Sequence, residues 1–405
     1  MAPARPLLEG FRVLDFSRVW AGPYCTMMLA ELGADVLKIE HPEGGDETRR
    51  YPPFFTETES AYFASFNRGK RSIALDLKRP EGRAVAHRLA ARVDVVVENF
   101  TAGVTARLGI DYGTLAAINP RIVYCSISAF GQTGPYRERK GYDPILQAMA
   151  GIMSLTGEAG RPPVRVGIAI ADLSGALFAA FSIVTALLAR EQGGSGQHID
   201  LALLDSQVAL LAVKAAEYLH HGTLPQRWGA GDPHRVPSGA YETRDGRYLV
   251  VIAGEQHWPA FCRALGRPDL IDDPRSRTVR DRLAHREELE AIFVPIFRGR
   301  TAPEWQAILD EQDVPAGPVQ DLHQVFTHPQ VVAREVVKTY EHPRMGRVRA
   351  IDLPYRFSGA PPRVLLPPPA LGQHTRAILA DVAGLSAREI DELISSRAVR
   401  TNDGP

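Results

Sequence analysis

Short runs of β-branched residues alternate with helical apolar patterns over the first half of the chain. The first three elements are a strand at 12–16, an amphipathic helix at 26–32 and a strand at 35–40, which together form a βαβ unit. The same alternation continues further along the chain, with strand-like runs at 72–77, 93–98 and 121–127. Repeated βαβ units predict an α/β fold in which helices cover both faces of a mostly parallel sheet.

The second half of the chain has a different character. After two long helical patterns, residues 224–237 are rich in glycine and proline and predict a linker or mobile loop. Two strand-like runs then flank Asp245-Gly246, which is a strong hairpin signal, and three short helical patterns follow. A second hairpin around Met345-Gly346, a proline-rich run and a helical region at 375–394 complete the pattern.

Composition narrows the class of protein. A chain of 405 residues is too long for one ordinary core and predicts two domains, and its 47 basic and 47 acidic residues give no net attraction to nucleic acid or to an anionic membrane. The three cysteines are far apart, and no cysteine and histidine cluster has metal-ligand spacing. With no apolar stretch that suits a signal peptide or a membrane span, we expect a metal-free cytoplasmic protein and a buried core helix at 176–188.

Asp172 is the most informative single residue. A β-branched run leads into it, and small residues after it open a long helical pattern, so it lies at a strand-to-helix corner. The positive end of a helix dipole favours the charged form of a carboxylate. From these residues alone, Asp172 is either a nucleophile or a simple helix N-cap.

Several common enzyme motifs are absent from the sequence. The first βα turn has one glycine and a proline in place of G-x-G-x-x-G, which argues against a dinucleotide site. Neither a G-x-S-x-G elbow nor a Walker A motif is present. Asp172, Asp143 and the glycine-containing loop 130–135 remain as candidate chemistry, since ligands bind beyond the carboxyl ends of strands in open α/β sheets.

Ordered motifs give the sequence a resemblance to a known family. They are Arg12-Val13-Leu14-Asp15 with Ala21-Gly22-Pro23, Gly33-Ala34-Asp35-Val36 with Lys38-Ile39-Glu40, residues 67–75, Val97-Glu98-Asn99-Phe100, residues 130–135, Gly141-Tyr142-Asp143 and Ala171-Asp172. From Leu8 to the Leu371–Thr375 motif, the chain resembles the class III (CaiB/BaiF) CoA-transferases, which include formyl-CoA transferases and α-methylacyl-CoA racemases.

The resemblance implies a role for individual residues. Asp172 matches the nucleophile that becomes a mixed anhydride and then an enzyme-bound CoA thioester. The substrate and oxyanion region matches Gln132, Tyr142, Asp143, Gly229 and Gly231. The CoA site matches Val19, Ala21, His41, Leu75, Leu77, Asn99, Arg107 and Lys140. CoA thioesters are therefore expected as substrates, with no permanently bound cofactor and no metal.

Three activities stay open. The racemase branch supplies a histidine in Gly-His-Asp, whereas this chain has Gly141-Tyr142-Asp143, and a phenol with an ordinary pKa of about 10 is a poor base at neutral pH. We therefore favour CoA transfer, and the motifs look most like the branch that uses succinyl-CoA and small dicarboxylates such as glutarate. Arg227 and Arg235 are candidates for the distal carboxylate. A non-catalytic acyl-CoA-binding relative would require Asp172 to be only a cap.

The resemblance also implies an architecture. We expect a large Rossmann-like domain built from both chain ends, with a smaller α+β domain inserted between them, in an interlocked homodimer. On this basis, residues 1–222 form the first part of the large domain, 223–330 the small domain with its linkers, and 331–405 the return linker and the rest of the large domain.

Overall fold

The computed structural model describes residues 5–56, 59–361 and 364–402. The chain divides into two compact units, and residues 151–165 and 216–222, which were predicted to lie in the large domain, belong to the second unit. The first unit comprises Met1–Ala150, Val166–Ala215 and Val332–Pro405, and the second comprises Gly151–Arg165 and Ala216–Val331.

A seven-stranded sheet forms the centre of the first unit, in the order β12-β3-β2-β1-β4-β5-β6. Its strands are β1 (Arg12–Asp15), β2 (Asp35–Glu40), β3 (Arg71–Leu75), β4 (Val95–Glu98), β5 (Val123–Ser128), β6 (Gln197–Ala202) and β12 (Val399–Arg400). All neighbours pair in parallel except β12, which is antiparallel to β3. The predicted α/β fold with a large, mostly parallel sheet is confirmed.

Helices cover both faces of this sheet. They are α1 (Ala21–Glu31), α2 (Ala61–Phe66), α3 (Pro80–Ala90), α4 (Val104–Leu108), α5 (Tyr112–Ile118), α6 (Asp143–Met149), α8 (Ile170–Glu191), α9 (Leu203–Leu210), α17 (Thr375–Asp381) and α18 (Ala387–Ser395). Strand β4 shows why the sheet is apolar throughout: Val95 and Val97 face one hydrophobic cluster, while Val96 faces the other. In the sequence, strands that are buried on both faces are continuous runs of apolar residues.

The second unit has its own core around a three-stranded antiparallel sheet of β7 (Ser238–Glu242), β8 (Tyr248–Ile252) and β9 (Ala316–Pro318). The hairpin predicted at Asp245-Gly246 joins β7 to β8. The helices of this unit are α7 (Ile152–Leu155), α11 (Trp258–Ala264), α12 (Val279–Ala284), α13 (Arg286–Phe297), α14 (Ala302–Glu311) and α15 (Leu322–Thr327). Helices α10 (Ala212–His221) and α16 (Pro329–Ala333) span the points where the units change, and a separate hairpin pairs β10 (Val337–His342) with β11 (Gly346–Ile351).

The expectation that 176–188 is wholly buried is wrong for the single chain. One face of α8 packs in the core through small and aliphatic side chains such as Ala179 and Ile183. The opposite face is also apolar and is exposed, with Phe181 at 72%. This helix is long and apolar enough to cross a membrane by length and composition alone, a test that core helices of soluble proteins also pass.

Candidate active site

Asp172 lies in the first turn of α8, two residues after the helix begins. Residues 162–169, which precede the helix, form neither a strand nor a helix, so the predicted strand-to-helix corner is wrong. The N-cap is Ala169, which has no side chain able to cap, so the interpretation of Asp172 as the N-cap is wrong. Among the described residues, the Asp172 side chain has neither a hydrogen bond nor an ion pair, although it is largely shielded from solvent. A carboxylate without a partner at this position is available for reaction.

Buried polar side chains hold the first turn of α8 in place. The Asp143 carboxylate accepts the Ala171 N–H at 2.7 Å and the Gln147 side-chain amide at 2.7 Å. The Gln207 amide donates to Ser174 Oγ at 2.8 Å, and this hydroxyl donates to a carbonyl in the same turn. Asp143 therefore positions the backbone beside Asp172, a role that the sequence did not reveal.

The pKa of Asp172 is raised to about 7, first by burial and then by the negative charge of Asp143. The helix dipole favours the charged form, as the sequence indicated, but desolvation opposes ionisation more strongly. Near neutral pH the group exists in both forms. An ionised Asp172 is poorly solvated and hence reactive, which is the environment expected of a catalytic carboxylate.

An aromatic wall lies beside Asp172, formed by Trp20, Tyr62 and Phe66. The Trp20 ring lies 5.3 Å from that of Tyr62 and 4.7 Å from that of Phe66. Burial and the charge of Asp172 raise the pKa of Tyr62, which places this phenol close to the carboxylate. This wall was not predicted from the sequence, although the helical spacing of Tyr62 and Phe66 was a usable signal.

The loop between β1 and α1 is held in a strained conformation. Val19 has φ of 69°, a left-handed value that is rare for a β-branched residue. Asn99 clamps the preceding residue, accepting the Arg18 N–H at 2.8 Å and donating to the Arg18 carbonyl at 2.7 Å. A Cβ on Gly22 would lie 2.2 Å from the Ser17 Cβ, so only glycine fits there. Such strain concentrates at functional sites.

Four buried charged side chains, which form two ion pairs, hold this loop in place. Lys38 pairs with Asp46 at 3.0 Å, and Lys70 pairs with Asp15 at 3.0 Å. Lys38 also donates to the Ser17 carbonyl at 3.0 Å, while Asp46 accepts the N–H of Val19. Burial lowers the pKa of Lys70 to about 8. Burial alone would raise the pKa of Asp46, but the charge of Lys38 and the hydrogen bonds from Thr48 and Lys38 together hold it at about 2. This network was not predicted from the sequence.

The carboxyl ends of β1 to β4 border a cavity of about 370 Å³, the strand-end cavity. Three of the predicted CoA contacts, His41, Leu75 and Leu77, line it. So does Arg18, whose guanidinium lies 5.2 Å from the centre of the Phe100 ring. A cavity that combines cations with an aromatic ring suits an anionic nucleotide.

The other predicted CoA contacts lie outside this lining. Val19 belongs to the strained loop and Asn99 clamps it, and each is next to a lining residue in sequence. Ala21 is the first residue of α1, and neither of its sequence neighbours lines the cavity. Arg107 on α4 and Lys140 after β5 are solvent-exposed, and neither lines the cavity.

The predicted substrate region is divided between the two units. In the first unit, the Gln132 N–H donates to the Asp200 carboxylate at 3.0 Å, and Tyr142 is 70% exposed. In the second unit, the Gly229 N–H donates to a carbonyl at 2.8 Å, and Gly231 closes the same turn. Arg227 is engaged by the carbonyls of Glu158 and Arg161, leaving it less available for a carboxylate than the exposed Arg235.

Comparison with known proteins identifies the family. The model of CoA-transferase family III matches residues 8–375. The chain is 42% identical to succinyl-CoA:glutarate CoA-transferase of Mus musculus, covering 98% of this chain and 91% of that protein. It is 39% identical to succinate–glutarate CoA-transferase of Agrobacterium fabrum, covering 94% of this chain and 97% of that protein.

A solved structure gives the same result. A CaiB/BaiF family protein from Brucella suis superposes with a TM-score of 0.84 at 39% identity, covering 94% of this chain and 100% of that chain. The chain belongs to CoA-transferase family III and is a CoA-transferase.

Proposed function

We propose that this enzyme transfers CoA from succinyl-CoA to a small dicarboxylate such as glutarate, with Asp172 as the nucleophile. The observation that carries the proposal is the shielded Asp172 carboxylate, which has no partner among the described residues and a pKa raised to about 7. The acids come from the relatives, which are named as transferases of glutarate, D-citramalate and mesaconate with succinyl-CoA.

The reaction proceeds through Asp172 in two symmetrical halves. The carboxylate attacks the succinyl thioester carbonyl, and the tetrahedral intermediate expels CoA thiolate to leave a succinyl–aspartyl anhydride. The thiolate then attacks the aspartyl carbonyl, which releases succinate and forms the aspartyl-CoA thioester. The acceptor carboxylate displaces CoA thiolate to form a second anhydride, and the thiolate takes the new acyl group. Asp172 is regenerated as a carboxylate, and no net proton is exchanged.

The surrounding residues support the reaction in three different ways. Asp143 fixes the backbone next to Asp172, which keeps the carboxylate in one position while it passes between anhydride and thioester. The aromatic wall limits water near the anhydride, whose hydrolysis would waste the thioester. The strand-end cavity and the strained Val19 loop hold the CoA moiety.

The two alternatives lose support. Where the racemase branch has a histidine, this chain has the exposed Tyr142. A non-catalytic relative would need Asp172 as a cap, and Ala169 occupies that position.

We further propose that the enzyme works as a homodimer in the cytoplasm, without a resident cofactor or metal, and that its smaller domain is inserted in the larger. The exposed apolar face of α8 supports the dimer, since faces of this kind mark protein interfaces. Light scattering of the purified protein measures the mass, and a monomer would contradict this part of the proposal.

The proposed reaction is tested by mass spectrometry of CoA thioesters after incubation with succinyl-CoA and a panel of acids. We expect glutaryl-CoA, and a panel in which only monocarboxylates are activated would contradict the dicarboxylate assignment. Hydroxylamine added during turnover should convert Asp172 to a hydroxamate. Asp172→Ala should abolish both products, and in D₂O a 2-methylacyl-CoA should gain no α-deuterium.

A further inference from the structure

A second cavity is bordered by α1, α2, α8 and the β10–β11 hairpin, and Phe66 of the aromatic wall lines it. We name it the hairpin cavity; its volume is about 390 Å³, which is within the range of small-molecule sites. Its lining includes Tyr24, Phe66, Leu173, Val348 and Arg349, all in the first unit.

The hairpin cavity begins next to the nucleophile. Leu173 follows Asp172 in the first turns of α8 and lines the cavity. Phe66 is shared: its ring belongs to the aromatic wall beside Asp172, and it also lines the hairpin cavity. Leu173 and Phe66 therefore connect the hairpin cavity with the surroundings of Asp172.

One of the charged side chains around the hairpin cavity, that of Arg349, has no ion-pair partner among the described residues. Arg68 is buried and pairs with Glu31 at 2.7 Å, while Asp352 pairs with Lys338 at 3.0 Å. The Arg349 side chain is exposed, lines the cavity, and has no hydrogen bond or ion pair to any other residue that the structure describes. A guanidinium is the side chain best suited to bidentate recognition of a carboxylate.

We propose that the hairpin cavity is the acyl subsite of this transferase and that Arg349 binds the distal carboxylate of its dicarboxylic substrates. The inference rests on the proposed function and adds the residue that sets its substrate class. The apolar lining takes the methylene chain, the end near Leu173 faces the reacting carboxyl group, and Arg349 selects acids that carry a second charge. Arg227 and Arg235 then have no part in this selection.

The test compares glutarate with its monomethyl ester, which has nearly the same shape but lacks the distal charge. In Arg349→Gln we expect the ratio of kcat/KM for glutarate to that for the half-ester to fall by roughly tenfold to a hundredfold, because a charge-assisted contact is lost. The loss should appear mainly as a higher KM for glutarate. Arg349→Lys should restore part of the ratio.

Arg347→Gln is the matched control, since Arg347 lies two residues earlier on the same strand and outside the cavity lining. It should leave the ratio unchanged. If wild-type enzyme forms glutaryl-CoA and Arg349→Gln keeps the wild-type ratio, the subsite is wrong while the transferase function stands. If the wild-type enzyme activates no dicarboxylate, both proposals fail.

A second variant tests the cavity without touching the cation. Ala350 lines the hairpin cavity, and Ala350→Phe would fill part of it. We expect the preferred acceptor to become shorter, so that the kcat/KM ratio of succinate to glutarate as acceptor rises when acetyl-CoA is the donor. An unchanged chain-length preference in a folded Ala350→Phe variant would overturn the assignment of the cavity.

Discussion

Replacing Asp172 with asparagine should make the protein more stable, and increasingly so as the pH rises. The wild-type carboxyl group has a folded-state pKa of about 7, against about 3.9 in an unfolded chain. Between these values the folded state holds a proton that the unfolded state has released. The stabilisation associated with that proton is fully present below about pH 4 and is lost as the pH rises through about 7.

The magnitude follows from the size of the shift. About three pKa units at about 1.4 kcal/mol each limit the effect to about 4 kcal/mol per chain, of which about 2.5 kcal/mol develops between about pH 5 and pH 8. The asparagine side chain carries no charge to desolvate, so the Asp172→Asn variant avoids this loss. Its free energy of unfolding, relative to wild type, should therefore increase by roughly that amount across the interval.

Urea denaturation followed by circular dichroism, at several pH values and constant ionic strength, measures the difference between variant and wild type. Asp205→Asn is a matched control, because Asp205 occupies the same place in the first turn of α9, also after an alanine N-cap, but is exposed. Its effect should be small and independent of pH. A pH-independent difference for Asp172→Asn, or one that falls as the pH rises, would refute the argument that burial raises this pKa.

Three further predictions concern the supports of the site. Asp143→Asn should lower the pKa of Asp172 and move the acidic limb of the pH profile of kcat/KM to lower pH. It should also weaken the hydrogen bond from the Ala171 N–H and lower the stability in thermal unfolding by about 1–3 kcal/mol. An acidic limb at the wild-type pH would show that the charge of Asp143 does not raise the pKa of Asp172. Val19→Gly should relieve backbone strain of about 1–3 kcal/mol yet raise the KM for acyl-CoA, and a lower melting temperature would contradict the strain. Lys38→Met leaves two buried carboxylates without this partner and should destabilise by about 3–5 kcal/mol, so near wild-type stability in calorimetry would show that the network is dispensable.

The sequence predicted the sheet of the first unit well because a buried parallel strand is an uninterrupted apolar run. The predicted strand at 35–40 agrees with β2 at both ends, and the others agree to within about two residues. Strand β9 was missed because Ala316-Gly317-Pro318 has no strand signature, and its pairing depends on β8 being already in place. The exposure of one face of α8 was also missed, since periodicity shows which residues are apolar but not which chain covers them.

The candidate site was only partly visible in the sequence. Asp172 was identified because its position after a β-branched run is a local feature, and the family resemblance then gave it a role. The rise of its pKa comes first from burial and then from the charge of Asp143, whose carboxylate accepts a backbone N–H 28 residues further along the chain. Similarly, Asp15 and Lys70 are 55 residues apart in sequence, and no local sequence pattern predicts their ion pair.

The apolar outer face of α8 has a consequence for how the protein is made. Helix α8 carries Asp172 in its first turn and, in the single chain, exposes Leu177, Phe181 and Leu188 to water along its length. A newly synthesised chain with such a stripe is prone to aggregate until something covers it. If that cover is a second copy, the nucleophile and the assembly contact share one rigid element. The yield of soluble protein would then depend on how quickly newly made chains meet. Polar substitutions at Phe181 would increase the solubility of the single chain and weaken its assembly.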